Sequence, residues 1–164
     1  MAHPSDRGTD EERVGHISDV ARDQGLRIAV AESLTSGRLS SLLGAGEDAA
    51  DWYRGAVVAY DEEVKFRVLG VTPGPVVTEA CAREMAEGVR RLLHADVAVG
   101  ITGVGGPGPQ EGCPAGTVHV AVADGNGVRS REAHLPGDPP EVIAAAASLA
   151  LDELLDVLRA PARA

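Results

Sequence analysis

The chain has 164 residues and a mass of 16.9 kDa, enough for one ordinary domain that folds without a metal or disulfide staple. Hydrophobic residues make up 44% and aromatic residues only 2%, so the core must be built from Val, Leu, Ile and Ala, and readers of single-stranded nucleic acid that stack bases on aromatic rings are disfavoured. The net charge of −10 leaves no basic stripe to displace counterions from DNA, so no nucleic-acid partner is expected.

Residues 1–8 are polar, include Pro4 and Gly8, and are expected to form a flexible tail before a single domain over 9–160. The first thirteen residues, MAHPSDRGTDEER, hold no apolar signal core, which makes the cytoplasm the expected location. Thr9 with Glu12 three residues later signals a helix start. Val14, Ile17, Val20 and Ala21 follow at helical spacing, and Gly25 ends the helix. LRIAVA (26–31) is a short apolar strand of the kind covered on both faces. Thr35–Leu43 predicts a helix, Arg54–Tyr60 a second strand, and Asp61–Leu69 a short helix with acids at its positive end. After the break at Pro73-Gly74-Pro75, Thr78 caps a longer helix whose apolar stripe is Ala82, Met85, Ala86, Val89, Leu92 and Leu93. Asp96–Ile101 is a third strand, and a Gly/Pro-rich loop spans about 102–115. Thr117–Ala123 and Val128–Leu135 flank Asp124-Gly125-Asn126-Gly127, a hairpin signal. The chain closes with a helix over about Glu141–Leu158. Its apolar run Val142–Leu151 falls far short of the ~20 residues a membrane span needs, so no membrane partner is expected.

Helices between the early strands require crossovers and parallel pairing, and the late hairpin adds an antiparallel pair. The expected fold is α/β: a three-layer α/β/α sandwich on a mixed, mostly parallel sheet of about five strands. Ligands of open sheets bind beyond the carboxyl ends of the strands. Three segments should meet there: Glu32–Gly37, Tyr60–Lys65 and Thr102–Pro109.

Glu32-Ser33-Leu34-Thr35-Ser36-Gly37 crowds hydroxyls at a strand-to-helix junction, where free helix N–H groups favour an anion or a developing oxyanion. Ser33 is a candidate nucleophile there; the plainer reading has Ser33 or Thr35 capping the helix. The segment is not a GxSxG elbow. Lys65 is the sole lysine of the chain. It can serve a serine as base if desolvation lowers its pKa by about 3 units, which costs ~4 kcal/mol. The plainer reading is a solvated lysine paired with Asp61. Gly103, Gly105 and Gly108 formally match GxGxxG, but Pro107 and Pro109 do not open a helix, which excludes a dinucleotide fingerprint. What remains is a phosphate-holding or close-approach loop, or a long connector. Cys81 and Cys113 are expected as free thiols, and the scattered histidines show no zinc spacing, so no metal and no cofactor is expected.

Together AESLTSG (31–37), RGAVVAYDEEVKFRVLGV (54–71), AREMAEGVRRLLHADVAVGITGVGGPGP (82–109) and PAGTVHVAVA (114–123) resemble the CinA C-terminal-domain family, also described as nicotinamide-nucleotide amidases. The resemblance implies hydrolysis of the carboxamide of nicotinamide mononucleotide, a small-molecule nucleotide, to nicotinate mononucleotide and ammonia. It implies Ser33 as nucleophile, Lys65 as its base and Tyr60 as a supporting hydroxyl. Thr35, Gly37, Thr102, Gly103, Gly105 and Gly106 are then the expected substrate-binding residues. The apolar final helix makes a homodimer plausible. Larger family proteins carry a further N-terminal domain, and this chain looks like the stand-alone form.

The chain departs from the family pattern in places. Leu34-Thr35-Ser36-Gly37 stands for Cys-Thr-Gly-Gly, Asp61-Glu62 for Ser-Asn, and Cys113-Pro114 for Lys-Pro. Gly137-Asp138-Pro139 and Ile143 stand where the family has Gly-Asp-Arg and a second Arg. Arg is the natural phosphate ligand, and Arg129 and Arg131 are the candidates to replace the missing pair. Two other readings therefore stand beside the mononucleotide amidase. One is an amidase for a different, unphosphorylated amide. The other is a non-catalytic nucleotide- or partner-binding module.

Overall fold

The Thr9 hydroxyl accepts from the Glu12 N–H while the Glu12 carboxylate accepts from the Thr9 N–H, the reciprocal cap expected from their spacing. This box opens α1 (Asp10–Gln24), and Gly25 at φ 64° closes it in the left-handed conformation. A computed structural model describes residues 7–161. The expected flexible tail falls outside them, except for Arg7 and Gly8. The Arg7 guanidinium donates to Asp156 at 3.3 Å, and the Gly8 carbonyl accepts from Arg13 at 2.8 Å.

The sheet runs β2-β1-β3-β4-β5. β1 (Ile28–Glu32) lies between β2 (Tyr53–Val58) and β3 (Val97–Gly103) and pairs with both in parallel. β4 (Thr117–Asp124) and β5 (Gly127–His134) continue it as an antiparallel hairpin. The sheet is mixed, as expected: two pairings are parallel and two antiparallel, and β4 alone runs against the other four strands.

All of β1 is buried, because helices cover both of its faces. Ile28 and Val30 point to a layer formed by α1, α2 (Arg38–Gly44), the short α3 (Ala49–Trp52) and α6 (Pro139–Arg159). Ala29 and Ala31 point the other way, to α4 (Glu62–Leu69) and α5 (Glu79–Leu92). The first layer is built from large residues, among them Trp52, Leu151 and Leu154. The second is thin: Ala82, Ala86, Ala98, Ala121 and Gly100 let α5 lie almost on the strand backbone.

Two helix starts and one whole element differ from expectation. The helix foreseen from Thr35 starts at Arg38, because 33–37 forms a turn in which Ser36 (φ 50°) and Gly37 (φ 97°) are both left-handed. The last helix starts at Pro139 rather than Glu141, since proline suits a first turn whose N–H groups have no helical partner. α3 was not foreseen; its four residues are too few to show a period.

Candidate active site

The three expected segments converge beyond the carboxyl ends of β1, β2 and β3 around a cleft of about 640 Å³. Ser33, Tyr60, Lys65, Thr102, Gly103, Gly105 and Gly106 all line it. So do Val76 and Val77 from the segment before α5, and Pro139 and Ile143 from the start of α6. Thr35 and Gly37, expected to bind substrate, do not line it.

Ser33 follows directly on β1. Its N–H donates to the Ile101 carbonyl at 3.1 Å and its own carbonyl accepts from the Ser36 N–H, so the residue, 7% exposed, is pinned at the sheet end. Neither Ser33 nor Thr35 caps α2, and the first turn of α2 is not free to hold an anion. The fully buried Glu32 reaches from the strand and accepts from Leu39 N at 3.0 Å and Ser40 N at 2.9 Å. This leaves Thr35 Oγ1 buried without a partner among the described residues. It also releases Ser33 from a capping role. The N–H of Leu34, which lines the cleft, has no acceptor among the described residues and is the available backbone donor beside Ser33. Glu32→Gln is expected to cost about 2–3 kcal/mol, because the amide turns one acceptor into a donor facing a buried N–H. A lower urea midpoint at unchanged slope checks it.

Lys65 is 1% exposed, which corrects the reading of a solvated lysine paired with Asp61. Asp61 instead caps α4 by accepting from Glu63 N at 2.8 Å. The Lys65 Nζ donates to the Ala59 carbonyl at 2.7 Å and the Tyr60 carbonyl at 3.1 Å. Burial lowers its pKa from the ordinary 10.5, while the carboxylates of Asp61, Glu62 and Glu111 work against that shift. Burial pushes the nearby Cys81 thiol up to about 11, so at neutral pH it is an inert thiol that does nothing to keep the proton on Lys65. A neutral amine has two N–H bonds and one lone pair. With both N–H groups held by carbonyls, the lone pair takes the remaining tetrahedral direction.

Tyr60 is 71% exposed and its hydroxyl makes no hydrogen bond among the described residues. It contributes its carbonyl to Lys65 and an aromatic face to the cleft rim. Thr102 is buried, and its hydroxyl donates to the Val76 carbonyl at 2.8 Å. It therefore fixes the cleft wall. Glu111 does the same from the glycine-rich loop, with its carboxylate accepting from Val76 N at 2.6 Å and Val77 N at 3.0 Å. Sequence reasoning missed both Glu32 and Glu111, since a lone acid that caps a distant segment leaves no local pattern.

The glycines of the loop serve different ends. A Cβ at Gly103 would overlap the Thr117 carbonyl oxygen, so that glycine is required by strand packing. A Cβ at Gly105 or Gly108 would meet nothing within 4 Å, so the loop presents open backbone to the cleft. Neither Arg129 nor Arg131 lines the cleft. Arg131 pairs with Glu153 at 2.8 Å, and Arg129 lies at the hairpin end of the sheet. The described residues include no cluster of His, Cys, Asp or Glu placed to hold a metal, and no helix long and apolar enough to cross a membrane.

The fold and its cleft define an open three-layer α/β/α domain with a crevice at the carboxyl edge of a mixed sheet. The family model of the CinA C-terminal domain matches residues 10–158, and the chain belongs to that family. A CinA-like protein of Frankia casuarinae is 38% identical over 150 residues, covering 88% of this chain and 35% of its own length. A CinA-like protein of Gemmatimonas aurantiaca is 44% identical over 135 residues, covering 79% and 32%. The chain thus spans about a third of the length of these curated relatives. Among solved structures, the competence or damage-inducible protein of Enterobacter asburiae is 34% identical, with a TM-score of 0.90 over 93% of this chain and 99% of that one. The CinA superfamily protein of Escherichia coli is 35% identical, with a TM-score of 0.88 over 91% and 90%.

Proposed function

We propose that the chain is an amidohydrolase that cleaves the carboxamide C–N bond of a nicotinamide nucleotide or nucleoside, with Ser33 as nucleophile and Lys65 as general base. The family resemblance implies nicotinamide mononucleotide, deamidated to nicotinate mononucleotide and ammonia. The observation that carries the reading is the presence in one cleft of a buried serine whose hydroxyl has no capping duty and a buried lysine whose pKa is lowered.

The steps follow from the groups present. Ser33 Oγ attacks the amide carbon while the neutral Lys65 amine takes the hydroxyl proton. The Leu34 N–H is the backbone donor available to the oxyanion that develops. Lys65 then gives its proton to the departing nitrogen, the C–N bond breaks, ammonia leaves and an ester remains on Ser33. Water attacks that ester as Lys65 takes its proton and returns it to Ser33 Oγ, releasing the carboxylic acid. No net oxidation occurs, and water is the only co-reactant.

The test is ammonia release from nicotinamide mononucleotide, nicotinamide riboside and free nicotinamide. Ser33→Ala is expected to lose about 10³-fold or more in rate, as removal of a nucleophile does. Turnover that survives Ser33→Ala removes this mechanism. Nucleotide binding with no turnover of any amide favours the non-catalytic module.

A further inference from the structure

We infer that the cleft takes a primary carboxamide whose carrier bears no phosphate and no net negative charge. This deepens the amidase reading and rests on it. Anions at such an edge are ordinarily held by helix N-termini or by Arg and Lys; here carboxylates of the chain take up much of the first route and the lining holds no arginine for the second, which leaves an anion the uncharged backbone of the glycine loop.

At the helix starts around the cleft, N–H groups are taken by carboxylates of the chain itself or removed by proline. Glu32 takes the N–H groups of Leu39 and Ser40 at α2. Asp61 takes that of Glu63 at α4. At α6 the first two positions are Pro139 and Pro140, which have no N–H, and the third N–H, of Glu141, donates to Asp138 at 3.0 Å. The N–H groups of Val76 and Val77 on the facing wall go to Glu111.

Side chains do not make up the deficit. Among the described residues that line the cleft there is no arginine, and Lys65 is the one basic side chain, with two of its donor directions held by backbone carbonyls. Arg38, the arginine nearest Ser33 in sequence, is not part of the lining. The charged groups at the mouth are the exposed Asp61 and Glu62, beside the exposed ring of Tyr60, and the α6 wall is the apolar pair Pro139 and Ile143. A phosphate dianion would lose water there and meet carboxylates. A neutral or cationic carrier would meet an aromatic face and two acids, which suit a cation.

Nicotinamide riboside, whose ring is cationic and which lacks the phosphate, is the probe for this class. Its kcat/KM for ammonia release is expected to exceed that of nicotinamide mononucleotide by about tenfold or more, and the gap should narrow at high salt as the acids are screened. Ile143→Arg should move the ratio toward the mononucleotide by about tenfold, because it supplies the missing cation. Calorimetric binding to the Ser33→Ala protein gives a second readout that needs no turnover, and tighter binding of the riboside is expected. Equal or better use and binding of the mononucleotide would overturn this inference while leaving the amidase intact. No ammonia from any amide would overturn the amidase reading and this inference with it.

Discussion

Lys65→Met is expected to reduce ammonia release by about 10²–10⁴-fold, the range a positioned general base contributes. The methionine has a similar reach and fills the same enclosed space, so the loss should fall on kcat rather than on folding. The wild-type rate should rise with pH along a limb that lies below the ordinary lysine value of 10.5, since only the neutral amine accepts the serine proton. Glu62→Gln should move that limb to lower pH, because the Glu62 carboxylate helps to hold the proton on Lys65. Stability gives an independent check on the same group. A lysine whose pKa is lowered by folding binds fewer protons folded than unfolded between its two pKa values, so folding becomes more favourable as pH rises through the folded value toward the unfolded one. The wild type should therefore gain urea resistance relative to Lys65→Met as pH rises toward the ordinary lysine value of 10.5, and identical slopes would contradict a lowered lysine.

Gly100→Ala should be among the most damaging single changes, at about 3 kcal/mol or complete loss of folding. Its Cβ would overlap the Ala82 carbonyl oxygen and come within 2.6 Å of Ala86 N, so the obstacle is helix backbone rather than a side chain that can swing aside. Relief requires α5 to lift from β3, which would also pull its own Cys81 and Met85 out of the core. Gly105→Ala is the control. Nothing lies within 4 Å of its Cβ, so its melting temperature should match the wild type, and an equal loss in both variants would refute the packing argument.

The sheet and its helices were readable because their signals are local: the Thr9 and Glu12 box, the unbroken apolar run of β1, and the Asp-Gly-Asn-Gly turn of the hairpin. The convergence of Ser33, Lys65 and the glycine loop was also readable, because crossover topology brings those strand ends together. Long-range neutralisation was not readable. Nothing near Glu32 in sequence says that it will bind a helix seven residues on, and nothing near Glu111 points to Val76. Thr35 and Gly37, expected from the resemblance to bind substrate, lie in the turn before α2 and outside the cleft lining, because the chain folds back there in the left-handed conformation at Ser36 and Gly37. Lys65 appeared solvated because its acidic neighbours are conspicuous in sequence, whereas the carbonyls that hold it belong to backbone and carry no residue signature.

The tight bridge between Gln110 and Cys113, whose N–H groups donate to each other's carbonyls at 3.0 and 2.8 Å, gives the chain a built-in place for a reporter. Cys81 is sealed in the interior with its proton retained, whereas Cys113 is half-buried, so a maleimide dye should attach selectively at the latter. Gln110 faces the cleft from the opposite side of that bridge. Fluorescence from a single tag can therefore follow occupancy as each amide is titrated, without altering any group assigned to the chemistry.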